Sequence, residues 1–125
     1  MISIDLFRNE DQFEAFAPGQ VIFREGEEGH VMYVVLEGRV SLQINGVQVE
    51  ELEAGGMLGE MALIDSIPRS ATAIALTDCK LVPIDEKRFG FLVQQTPRFA
   101  LQVMRVLADR LRRTDARFVK PAVPA

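Results

Sequence analysis

The chain has 125 residues, of which 48% are hydrophobic and 26% charged, and a formal net charge of −4. That size fits one domain that buries about two-thirds of its unfolded surface, enough for a core without staples, and the single cysteine, Cys79, excludes an internal disulfide framework and suits a reducing compartment. No stretch approaches the roughly 20 apolar residues of a membrane span and nothing at the N-terminus reads as a signal peptide, so a cytoplasmic protein is expected, and the acidic balance argues against nucleic acid as its main partner.

Residues 3–8 predict a short helical turn. Val21, Ile22 and Phe23 read as a short strand, and 24–30 as a loop carrying Gly26 and Gly29. Residues 31–37 are apolar and β-branched, as in a buried strand. After a turn at Gly38, segments 39–44 and 47–52 flank Asn45-Gly46, a strong hairpin signal. A two-residue loop there sets Ile44 opposite Val47 and Leu42 opposite Val49. Val40 and Glu51 then extend that row, while Ser41, Gln43, Gln48 and Glu50 take the opposite, polar face. Leu42 and Val49 either fill the core or form an apolar wall under a ligand.

Further on, 71–76 and 80–84 read as two more strands, with a turn at Thr77-Asp78. Asp85 is an N-cap for a helix to about Thr96, and Pro97 starts a second helix to about Arg117. On that last helix Ala100, Met104, Leu107 and Leu111 form an apolar stripe that packs on the β domain, makes a dimer seam or closes as a lid. Arg105, Arg110, Arg112 and Arg113 lie along the same helix, and their register is not legible from sequence. Short strands followed by helices predict a mainly β fold: a jelly roll or closed sandwich with helices packed on it. The expected organisation is a single domain over 1–117, with a roll over about 14–84, helices over about 85–117, and a flexible tail at 118–125.

The segment from Gly56 to Thr72 carries the chemistry. Gly59 lets a ligand approach the backbone, and residues 60–64 read as one helical turn whose first N–H groups lack partners within the helix. Those groups attract an anion. Arg69 adds a planar fork that grips a phosphate through two hydrogen bonds, and Ser70 adds a donor. Glu60 repels phosphate and instead accepts from a hydroxyl, as on a ribose. Pro68 stiffens the turn that delivers Arg69. The competing reading of Glu60 and Arg69 alone is a surface ion pair worth little.

Gly59-Glu60-Met61-Ala62-Leu63 followed by Pro68-Arg69-Ser70-Ala71-Thr72 resembles the phosphate-binding cassette of the cyclic nucleotide-binding domain family, which includes catabolite-activator-type regulators, kinase regulatory subunits and cyclic-nucleotide-gated channels. Pro18 to Gly26 and Met32 to Gly38 resemble that family's opening strands, and the likeness covers about 16–113. The resemblance implies that Glu60 binds the ribose 2′-hydroxyl and Arg69 the cyclic phosphate. Backbone N–H groups near Met61 and Ala62, and the Ser70 side chain, would complete the phosphate site, and the hairpin bearing Leu42 and Val49 would lie beneath the base. Family members that prefer cGMP often carry threonine after the cassette arginine. This chain has Ser70, which favours cAMP over cGMP.

Other classes fit less well. His30 is the only histidine, so a cupin-type metal site of several histidines cannot be built, Cys79 reads as a small core residue, and no metal, cofactor or catalytic activity is expected. Asp109 and Asp115 interrupt the arginines of the last helix, which counts against a DNA-recognition helix. The chain ends about 12 residues after Arg113, so it is expected to be a stand-alone sensor or a piece of a longer protein. The reading is a sensor that binds a cyclic purine nucleotide and signals through its C-terminal helix, as a homodimer or through a partner protein. The rival is a ligand-free interaction module with the same fold.

Overall fold

The architecture comes from a computed structural model that describes Phe7 and residues 10–118, with side chains as far as Arg113. The expected helical turn at 3–8, Phe7 apart, and the tail beyond Phe118 lie outside the described residues.

The strands are β1 (Glu14–Phe16), β2 (Val21–Phe23), β3 (Val31–Glu37), β4 (Val40–Ile44), β5 (Val47–Leu52), β6 (Met57–Leu58), β7 (Thr72–Ala75) and β8 (Cys79–Asp85). The helices are α1 (Met61–Ile64), α2 (Glu86–Gln95) and α3 (Pro97–Phe118). The strands form two antiparallel four-stranded sheets, ordered β1-β8-β3-β6 and β2-β7-β4-β5, so the fold is the mainly β roll with C-terminal helices that the sequence predicts. The two strands not read from sequence, β1 and β6, are three and two residues long.

Two apolar clusters hold the fold. One lies between the sheets and contains Phe23, Tyr33, Val35, Val40, Leu42, Leu52 and Leu81. The other lies between β3, β8 and the helices, and contains Met32, Val34, Val82, Ile84, Phe99, Val103 and Val106. Alternation along β3 sends Tyr33 and Val35 to the first cluster and Met32 and Val34 to the second. A strand covered on both faces needs a continuous apolar run, which is what residues 31–36 supply.

The hairpin register departs from the regular one. Ile44 pairs Val47 and Gln43 pairs Gln48, but Leu42 then pairs Glu50, Ser41 pairs Glu51 and Val40 pairs Leu52. Val49 is the extra residue of a β-bulge. The expected Leu42–Val49 and Val40–Glu51 pairs are therefore replaced. The cause is burial: a regular ladder would put the Glu51 carboxylate beside fully buried Val40, at high cost. The bulge puts Leu52 there instead, 2% exposed. It also takes Glu50 off the expected polar face. Ser41, expected on that face too, is fully buried and donates to Gln48 Oε1 at 2.6 Å.

Asp85 caps α2 as expected, its Oδ1 accepting from Arg88 N at 2.8 Å. On α3 the buried stripe is Phe99, Val103 and Val106, one residue back from the expected one. Ala100 and Leu107 are half-buried, while Met104 and Leu111 are 61% and 62% exposed. Phe99 meets Phe7 and Phe89 edge-on, with ring centroids 6.1 and 5.4 Å away. Burying that ring decides the helix's rotation, because a one-residue shift turns a helix by about 100°. Arg110 follows Val106 by four residues and so faces the roll.

Candidate functional site

A cavity of about 460 Å³ opens between the β4–β5 hairpin, the Gly59–Ala71 segment and α3. All eight residues singled out from sequence line it: Leu42, Val49, Gly59, Glu60, Met61, Ala62, Arg69 and Ser70. Phe23, Ile44, Glu50, Arg110 and Arg113, which are not legible as site residues in the sequence, line it as well.

Arg69 is 7% exposed. Its backbone is pinned to the β2–β3 loop, with Arg69 N donating to Glu27 O at 2.8 Å and Gly26 N donating to Arg69 O at 2.9 Å. The guanidinium lies over the Phe23 ring, Cζ 4.2 Å from the centroid, and Nη1 donates to Gly59 O at 3.1 Å. Its Nε is buried and has no hydrogen-bond partner among the described residues. Burial pulls its pKa below the ordinary arginine value, and Tyr33, Glu27 and Glu60 pull the other way. A buried cation with an unsatisfied donor is costly unless an anion reaches it.

Glu60 stands at the N-cap position of α1, its side chain making no capping hydrogen bond, and is also 7% exposed. Its Oε1 accepts from Arg110 Nη1 at 2.7 Å. Arg110 also donates from Nε to Glu50 Oε1 at 3.0 Å and from Nη2 to Met57 O. Arg113 Nη2 reaches Glu50 Oε2 at 3.3 Å and Asp109 Oδ2 at 3.0 Å. Positive and negative groups thus alternate along one side of the cavity: Glu60, Arg110, Glu50, Arg113.

Leu42, Ile44 and Val49 supply the apolar wall. The bulge brings Val49 and Glu50 to the same cavity, although they are adjacent in sequence. Ala62 N donates to Gly59 O at 3.3 Å, and Ser70 is exposed at the rim. Arg110 had a usable signal, since Phe99, Val103, Val106 and Arg110 repeat at spacings of four, three and four. The arginine occupies the last place of the buried stripe. Phe23 and Glu50 had no such signal. The arrangement suits a ligand with an anion at one end, a hydroxyl in the middle and a flat apolar body. Among the described residues no group of three His, Cys, Asp or Glu side chains could hold a metal ion, and no helix is long and apolar enough to cross a membrane.

Comparison with known proteins gives this geometry a context. The family model for the cyclic nucleotide-binding domain matches residues 13–96. A CRP-like cAMP-activated global transcriptional regulator of Mycobacterium tuberculosis is 30% identical over 105 residues, covering 80% of this chain and 47% of the regulator. The crystal structure of Thermus thermophilus catabolite activator protein superposes with a TM-score of 0.74 at 32% identity, covering 83% of this chain and 51% of that one. The EAL enzyme Bd1971 has been solved in cAMP-bound and cGMP-bound forms, with TM-scores of 0.61 and 0.62 and identities of 33% and 34%. Each form covers 82% of this chain and 29% of the enzyme. The chain spans less than half the length of the curated relatives it matches.

Proposed function

The chain belongs to the cyclic nucleotide-binding domain family, and we propose that it binds a cyclic purine nucleotide in this cavity, cAMP in preference to cGMP, as a regulatory module. The observation that carries the proposal is Arg69: a buried guanidinium with an unpartnered Nε, in one cavity with the Glu60 carboxylate and an apolar wall. The cyclic phosphate sits on Arg69, with Ser70 and the backbone near Met61 and Ala62. The ribose hydroxyl donates to Glu60, and the base lies on Leu42 and Val49. The preference for cAMP rests on Ser70, and since the similar Bd1971 has been solved with cAMP and with cGMP, we propose a preference of degree.

Signalling runs through α3. Arg110 ties that helix to the carboxylate that would take the ribose, so a ligand on Glu60 changes what holds the helix. An effector shifts such an equilibrium only through contacts that differ between the two helix positions, and this pair is one. The exposed Leu101, Met104 and Leu111 on the outer face of α3 offer the surface for a second copy of the chain or a partner protein. We take residues 1–117 as one ligand-binding domain that works in the cytoplasm, catalyses no reaction and does not itself contact nucleic acid.

Calorimetric titration of protein stripped of co-purified nucleotide, first with cAMP and then with cGMP, tests the proposal. Saturable binding at micromolar or tighter affinity, with cAMP the stronger, is the expected outcome. A second reading, a ligand-free interaction module, is favoured by one observation: Arg110 already satisfies Glu60 Oε1 without a ligand. No heat with either nucleotide, and an unchanged Tm at millimolar ligand, would establish that reading instead.

A further inference from the structure

We propose that Gly29 and Phe23 are positioning residues for Arg69: together they form a socket that fixes its guanidinium for an anion. The inference rests on the assignment of Arg69 to the phosphate, and it concerns the end of β2 and the β2–β3 loop, far from the cassette in sequence.

A Cβ built on Gly29 would lie 2.2 Å from Arg69 Nε, 2.3 Å from Cζ and 2.6 Å from Nη2. Attractive contact between such atoms begins near 3.5 Å, so the guanidinium occupies the space of the missing side chain. Gly29 does not line the cavity and meets it only through Arg69. A Cβ on Gly59 would come within 2.5 Å of Nη1, which closes a second side. The Phe23 ring closes a third, 4.2 Å from Cζ, and is itself backed by Tyr33, stacked at 6.4 Å with 24° between planes. The guanidinium is therefore held by shape on three sides and by one hydrogen bond, to Gly59 O. Bidentate recognition of an oxyanion depends on the direction of the fork, so Gly29, which is outside the cavity lining, sets affinity through Arg69.

Gly29 differs from Gly59 in one useful respect. Gly59 has φ +77°, where an added side chain strains the backbone, while Gly29 is outside that left-handed region. The three atoms nearest the added Cβ all belong to the Arg69 guanidinium, so Gly29→Ala acts first on that side chain.

The test combines cAMP titration with NMR of the arginine side chains. In wild-type protein the Arg69 Nε–H should exchange slowly with solvent, and in Gly29→Ala quickly. Gly29→Ala should weaken cAMP binding by about tenfold or more with little change in Tm, as a misdirected fork would. In an Arg69→Ala background the same substitution should change affinity by less than about twofold, because its effect passes through the arginine. Gly19→Ala is the control: its φ of +82° strains the backbone with nothing within 4 Å, so it should lower Tm and leave affinity unchanged. Should Gly29→Ala fail to fold, Phe23→Leu replaces it, with the same expected signs for Nε–H exchange and affinity and a lower Tm, since Phe23 is a core residue. Slow Nε–H exchange in Gly29→Ala, wild-type affinity, or an undiminished loss in the Arg69→Ala background each overturns the socket. Failure of wild-type protein to bind cAMP overturns the phosphate assignment instead, and the Nε–H exchange still reads the socket.

Discussion

The two ends of the cavity are held in different ways. At the Arg69 end every support comes from the β roll: the Phe23 ring, the Gly59 carbonyl and the backbone pairing with Glu27 and Gly26. At the Glu60 end the carboxylate is tied to Arg110, which comes from a helix packed on the outside of the roll. The first end is built into a core that cannot rearrange without losing packing. The second depends on how one helix lies. The proposed sensor would use both, a fixed grip on the ligand and a contact that can be traded.

Detaching the helix is the harshest way to probe this contrast. Phe99 is fully buried between Phe7 and Phe89 at the start of α3, and Phe99→Ala should cost about 3–5 kcal/mol of stability, read by urea denaturation. A cost below about 1 kcal/mol would mean that α3 is not anchored by this ring. Next comes the fixed end. Arg69→Ala should lose about 2–4 kcal/mol of cAMP binding by calorimetry, since the phosphate is left without its main partner. Wild-type affinity in that variant would remove the phosphate from Arg69.

Arg110→Ala is expected to act more weakly and differently. It leaves Glu60 and Glu50 facing each other without their shared cation, and should cost about 1–2 kcal/mol of stability, less than a fully buried pair because the side chain is 17% exposed. Amide exchange along α3 should speed up, while cAMP affinity should shift by less than about tenfold. A loss as large as that of Arg69→Ala would make the two ends alike and end the comparison. The smallest effect belongs to Arg39, whose pair with Glu51 is exposed and 3.4 Å long. Arg39→Ala should stay within about 0.5 kcal/mol of wild type in the same denaturation assay.

The fixed end was legible, and so was Glu60 at the other end, though not its tie to Arg110. Gly59, Glu60, Arg69 and Ser70 sit within 12 positions of one another, so local sequence alone brings them together. The long strands, the Asn45-Gly46 turn and the Asp85 cap were equally local. What escaped depended on distant parts of the chain. Two stripes on α3 share the same spacing, one from Phe99 and one from Ala100, and only the Phe7 and Phe89 rings decide between them. The bulge left one trace: Val47 and Val49 keep a period of two, but the next apolar residue, Leu52, comes three later. That broken alternation is the mark of an inserted residue. Phe23 lies in a segment that resembles an opening strand and Gly29 in a loop, but neither position points to Arg69, because their value lies in the shape they leave for a side chain some 40 positions away.

The bulge has an evolutionary side. Val49 stands outside the one-to-one register, with Gln48 opposite Gln43 and Glu50 opposite Leu42 on either side of it. Deleting it would restore a regular ladder without moving Leu52 from Val40, and enlarging it would narrow the cavity without disturbing a cross-strand pair. A lineage carrying this hairpin can therefore retune the width of its ligand cavity through a single codon, leaving the sheet that frames it intact.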